Sequence, residues 1–195
     1  ELIIKKFINK YPNIKHIIYD AISDSKALDA FEVSYGVRAL PTYDFEKASV
    51  IVSVSGDFLG DWQGGGFSKG YAKNRVPKNG KMSKHYQIEA NMSLSGANAD
   101  VRLPLKPSSQ IKALLKIYEN ISGQKTGTSL EKQFESKLKT ISDSLIAAGS
   151  SGVFITGLDD VNAQIIALRI NQLIKSKVLN TKKLNYTRQG DDNKV

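Results

Sequence analysis

The chain of 195 residues contains no cysteine, two histidines, five prolines and one tryptophan. The lack of cysteine excludes a disulfide scaffold, a thiolate zinc site, an iron–sulfur cluster ligated by this chain and a cysteine nucleophile. It leaves the redox compartment open. His16 and His85 are far apart, which leaves little material for a metal cage or a Ser-His-Asp arrangement. No apolar run approaches the roughly 20 residues that a membrane helix requires. Leu2-Ile3-Ile4 with Phe7-Ile8 is too short, and too interrupted by lysine, for a signal segment. Acid is scarce relative to base, 19 Asp+Glu against 28 Lys+Arg, for a net charge of +9. Such a surplus raises nucleic acid or phosphate as partners.

At about 150 residues per domain, the length allows one domain or a small pair. Glu1 and the polar stretch from Asn185 to Val195 read as the edges of a piece of a longer protein. Residues 1–180 are expected to form a single domain, and 181–195 a linker or the start of a next unit. Leu2, Ile3, Phe7 and Ile8 fit a short amphipathic helix stopped by Pro12 and Asn13. Ile14 to Tyr19 is β-branched and short, predicting a buried strand that ends at Asp20 and contains His16. Ser23 or Asp24 is placed to cap a helix bearing Ala27, Ala30 and Phe31, ended by Gly36.

Val50 to Val54 is a nearly continuous apolar run bounded by Gly56, as a parallel strand covered on both faces should be. Lys84 to Glu89 is a weaker strand, in which His85, beside Lys84, is expected at the surface. Ile111, Leu114, Leu115, Tyr118 and Ile121 follow helical spacing, entered through Pro107 and Ser108. Leu130, Phe134, Leu138, Ile141 and Leu145 predict a second helix, with Ser129 as N-cap and Gly149 as the stop. Gly152 to Thr156 predicts a strand, and Asp159 or Asp160 caps a last helix running to about Val178. Strands alternating with helices indicate an α/β fold with a mainly parallel sheet.

Three features could carry chemistry. The loop from Asp57 to Gly70, DFLGDWQGGGFSKG, follows the best strand, yet it fits neither phosphate-binding pattern. Phe67 follows Gly65-Gly66 where a P-loop needs lysine. Gly66 and Gly70 are three residues apart inside, where the dinucleotide fingerprint has two. A surface turn is the simpler interpretation. Lys69, Lys73, Arg75, Lys78, Lys81 and Lys84 form a basic cluster, with no acid from Trp62 through Ile88. Phe67, Tyr71 and Tyr86 are interleaved with it, as in a single-strand stacking platform, but the spacing is not helical and no nucleic-acid motif accompanies it. A solvated basic loop facing an acidic partner fits better than a nucleic-acid groove. Asp20, Asp57, Asp61, Glu89 and Asp100 fall at or just beyond expected strand ends, where open α/β sheets bind ligands.

Val50 to Leu59, VIVSVSGDFL, and Ile88 to Pro107, IEANMSLSGANADVRLPLKP, resemble the nucleotide-binding region of the molybdopterin oxidoreductases of the dimethyl-sulfoxide-reductase type. YDF-E-KA (Tyr43 to Ala48), GDFLGDW (Gly56 to Trp62) and SLSGANAD (Ser93 to Asp100) are similar to one branch. That branch is the Tat-variant-translocated, molybdopterin oxidoreductase-like iron–sulfur subunit of alternative complex III. The resemblance covers about Thr42 to Ile121. It implies a Rossmann-like three-layer α/β sandwich on the periplasmic side of the inner membrane. The implied partners are the rest of its own subunit and other subunits of a membrane-bound respiratory complex, with no direct membrane span.

Catalytic members carry Asn-Pro after the first of these strands and Asp-Pro-Arg after the later one, both touching the guanosine diphosphate of the cofactor. Here those places hold Asp57-Phe58 and Glu89-Ala90-Asn91, and the usual Gly-Thr-Asp is Ser108-Ser109-Gln110. The resemblance therefore implies a non-catalytic scaffold domain with a degenerate site, no cofactor of its own, and docking through the basic cluster. The alternative it leaves open is half of a molybdopterin guanine dinucleotide site built from Ser55, Gly56, Asp57, Glu89 and Asp100. A nucleic-acid-binding module through the basic loop ranks behind both.

Overall fold

The computed structural model describes residues 2–77, 80–186 and 190. The helices are α1 (Leu2–Lys10), α2 (Ser25–Tyr35), α3 (Ser68–Arg75), α4 (Leu94–Ala97), α5 (Pro107–Ser122), α6 (Lys132–Ala148) and α7 (Val161–Leu173). The strands are β1 (Leu40–Tyr43), β2 (Val50–Val54), β3 (Lys84–Glu89), β4 (Val101–Pro104), β5 (Gly152–Thr156) and β6 (Leu179–Asn185). Four strands form a parallel sheet in the order β4-β3-β2-β5, and β1 pairs antiparallel with β6. The fold is α/β, a Rossmann-like three-layer sandwich.

Strand alternation builds the layers. Val52 and Val54 of β2, Tyr86 and Ile88 of β3 and Phe154 of β5 face one core, filled from Leu114 and Ile117 of α5, Leu138 and Leu145 of α6 and Ile170 of α7. Ile51, Val153 and Ile155 face the other core, against Phe31 of α2, Phe45, Phe58 and Tyr71. β5 is a sheet edge, and the structure covers it with a side chain. Asn171 of α7 donates to the Phe154 carbonyl at 2.6 Å and accepts from the Phe154 N–H at 3.0 Å. A buried asparagine thus stands in for the missing fifth strand.

Several expectations need correction. Ile14 to Tyr19 forms no strand; Ile17, Ile18 and Tyr19 are exposed, and His16 with them. β-Branched residues favour a strand only where a neighbouring strand and a packed face receive them, and this segment has neither. α6 starts at Lys132, so Ser129 does not cap it; instead the Glu135 carboxylate accepts from the Leu130 N–H at 3.2 Å. α7 is capped by Asp160, which accepts from the Ala163 N–H at 2.8 Å. It ends at Leu173 rather than Val178 because Lys175 turns left-handed, with φ 56°. β6 reaches Asn185 and so takes residues 181–185 out of the expected linker; 187–189 and 191–195 lie outside the described residues.

Candidate functional site

The chain leaves β2 outward through β3 and β4, then returns to place β5 on the other side of β2. The carboxyl ends of β2 and β5 are therefore a topological switch point, where open α/β sheets hold their ligands. A cleft of about 540 Å³ opens there, lined by Ser55 and Asp57 after β2, Gly157 to Asp159 after β5, Asp61 to Gln63, Gln164, and Asp24 and Lys26 at the start of α2. Its charged lining is four aspartates and one lysine.

Local backbone shapes this cleft. Ser55 takes a left-handed conformation, φ 60°, so β2 turns sharply at its end. Gly157 passes so close to this turn that an added Cβ would fall on the Ser55 carbonyl oxygen. Trp62 is fixed across the mouth by its indole N–H, which donates to the Thr156 carbonyl at 3.0 Å. Gln164 of α7 donates to the carbonyls of Thr156 and Leu158 at 3.3 and 2.9 Å.

The proposed cofactor-binding residues are already engaged within the protein. The Ser55 hydroxyl donates to Gln110 Oε1 at 2.5 Å. The Gly56 N–H donates to Ser53 Oγ, and its carbonyl accepts from Ser53 and Gln87. Asp57 Oδ1 accepts from the N–H and hydroxyl of Ser95 at 2.8 and 2.7 Å. Glu89 is nearly buried and accepts from Arg102 Nε at 2.7 Å, Gln87, and the hydroxyl and N–H of Ser93. Burial raises its pKa, but the bonds from Ser93, Arg102 and Gln87 outweigh burial and hold the carboxyl below its usual range.

Asp100 does not join this group. It precedes β4 and accepts from the His85 N–H at 2.7 Å at the amino end of the sheet, opposite to Asp57 and Glu89. Asp20 lies in the segment that forms no strand, so its expected position at a strand end also fails.

His85 is fully buried, not exposed. Strand alternation puts it on the opposite face from Lys84, whose ammonium stands 5.2 Å from the Tyr86 ring centre. His85, Gln87 and Glu89 thus form a buried polar row on one face of β3. Gln87 Nε2 donates to the Gly56 carbonyl at 3.2 Å and to Glu89 Oε2 at 3.1 Å. Its Oε1 is then the atom facing His85 Nε2 at 3.2 Å, so that nitrogen carries the proton. The Tyr71 hydroxyl lies 3.2 Å from His85 Nδ1 and donates its proton to the Asn98 carbonyl at 3.0 Å. Burial pushes the His85 pKa down to about 4, which keeps the ring neutral near pH 7.

The basic cluster is also rearranged. Lys69, Lys73 and Arg75 lie on α3, a helix where loops were expected. Although no acid is near in sequence, the fold supplies two. Lys73 contacts Glu46 at 2.5 Å, and Arg75 clamps Asp100 through both terminal nitrogens at 2.7 and 2.9 Å. Lys69, Lys81 and Lys84 are exposed, and Lys78 lies outside the described residues.

The roles of Trp62, Gln110 and Gln164 escaped sequence reasoning because no motif marks the indole that reaches the Thr156 carbonyl, the amide that receives the Ser55 hydroxyl or the amide that holds the turn after β5. Among the described residues no cluster of His, Asp or Glu has metal-holding geometry. No protein-family model matches this chain, and no curated protein matches it.

Proposed function

We propose that this chain is a non-catalytic scaffold domain of a molybdopterin oxidoreductase-like subunit in a quinol-oxidising respiratory electron-transfer complex. It would act on the periplasmic side of the inner membrane, holding its own subunit together and docking neighbours. The two segments that carry the resemblance become β2 with its outgoing loop, and β3-α4-β4 beside it. The observation that carries the non-catalytic reading is the charge of the switch-point cleft. A nucleotide pyrophosphate is held there by free backbone N–H groups and cations. This cleft instead offers four aspartates and one lysine, and the N–H of Gly56 is already bonded to Ser53. These residues do not fit a guanosine-diphosphate-bearing cofactor.

Metal analysis and pterin extraction of the full-length native subunit test the reading. Neither molybdenum nor tungsten is expected at stoichiometric level, and finding either overturns it. Docking through the basic surface is tested separately by Lys69→Glu with Lys81→Glu, whose side chains are exposed. Loss of co-purification with the complex is expected at unchanged Tm, and full co-purification overturns the docking role. Lys73 and Arg75 are unsuitable for this purpose, since reversing either sets it against Glu46 or Asp100.

A further inference from the structure

The first 22 residues differ from the rest of the molecule. From Leu2 to Tyr19 there is no acid, but four lysines and ten large apolar or aromatic residues. No residue of α1 is buried. Ile3 is 81% exposed and Ile22 94% exposed. Helical spacing places Ile4, Phe7, Ile8 and Tyr11 on one stripe, and the Phe7 and Tyr11 rings meet at 5.0 Å. Lys5, Lys6 and Lys10 stand off that stripe. Exposed apolar side chains gathered on one helix stripe are the mark of an interaction surface.

Charge decides what covers it. Short helices that lie in a membrane surface combine an apolar face bearing aromatic residues with lysines that reach the headgroups. We propose that α1, continued by the apolar stretch to Ile22, is an in-plane anchor that lays this domain on an anionic phospholipid bilayer. The inference does not depend on the scaffold reading: only Ala21 and Ile22 of the segment border the cleft, and the variants below change no residue of the cleft or the basic helix.

Flotation of the full chain with vesicles tests it, using phosphatidylglycerol and phosphatidylcholine in equal parts against phosphatidylcholine alone. Binding to the anionic vesicles is expected to be at least about ten-fold stronger, and to weaken with added salt. Lys5→Gln with Lys6→Gln and Lys10→Gln should remove about that factor. Ile4→Asn with Phe7→Asn should abolish binding at unchanged Tm, because neither side chain joins the core. Absence of binding to anionic vesicles, equal binding to both kinds, or wild-type binding by the Ile4/Phe7 variant each overturns the proposal. A dimer that the same variant dissociates, without vesicle binding, makes a second copy the occupant and overturns it too.

Discussion

Glu89 and Gly96 compete for one volume: a Cβ added to Gly96 would fall on Glu89 Oε1, the oxygen that receives Arg102 Nε. Only glycine lets the turn of α4 close over this carboxylate. Gly96→Ala should therefore displace a nearly buried, paired acid and cost about 2–4 kcal/mol in urea unfolding. In a Glu89→Ala background the same substitution should cost less than about 1 kcal/mol, and the double-mutant cycle reads the coupling.

Asn171→Leu removes the side chain that completes the β5 edge. Its two bonds to Phe154 are buried, so the change should destabilise the protein by about 2–3 kcal/mol. Hydrogen exchange at the Phe154 amide should accelerate well beyond that of Ile88 in the sheet interior. Equal acceleration at both sites would mean global loss rather than an opened edge.

Stability should fall on acidification in a step owed to His85. The unfolded imidazole takes a proton near pH 6.5, whereas the buried one waits until about pH 4. Between these values the unfolded state binds more protons, so stability is complete above pH 6.5 and declines as pH drops, by about 3 kcal/mol from this group. Glu89 and Asp100, both held below the usual carboxylate range by bonds that outweigh burial, add loss in the same direction below about pH 4.5. His85→Gln should be less stable at pH 7 and show a flatter profile between pH 6.5 and 4.

Asp57 should tolerate amide but not truncation. Asn keeps an oxygen for the Ser95 N–H and hydroxyl, so Asp57→Asn should cost under about 1 kcal/mol, whereas Asp57→Ala strands two donors and should cost about 2 kcal/mol. Thermal denaturation of the two variants checks the difference.

β2 and α5 were legible because local pattern and tertiary role coincide there. Val50 to Val54 is apolar on both faces because both faces are covered, and Pro107 opens a helix whose stripe lies in the core. The same logic failed for Ile14 to Tyr19, where propensity had no sheet to join. β6, LNTKKLN, was invisible because it is an outer, polar strand whose partner lies far away in sequence. His85 shows a third kind of failure: Lys84 beside it suggested water, but in a strand adjacent residues point to opposite sides. Of the site, Asp57 and Glu89 were found at strand ends, while their partners Ser95, Arg102 and Gln87 could be seen only after folding brought them together.

The β1–β6 ribbon has a consequence for how the domain is made. Thr42 Oγ donates to the carbonyl of Lys183, 141 positions later, at 2.7 Å. An emerging chain can assemble β2 through β5 while β1 still waits for its partner. A product stopped before Leu179 therefore carries the four parallel strands but an open β1 edge, and lacks Leu179 and Leu184 from the core beside α2. Such an edge can recruit a strand from a neighbouring molecule, so pairing β6 onto β1 closes a site of aggregation.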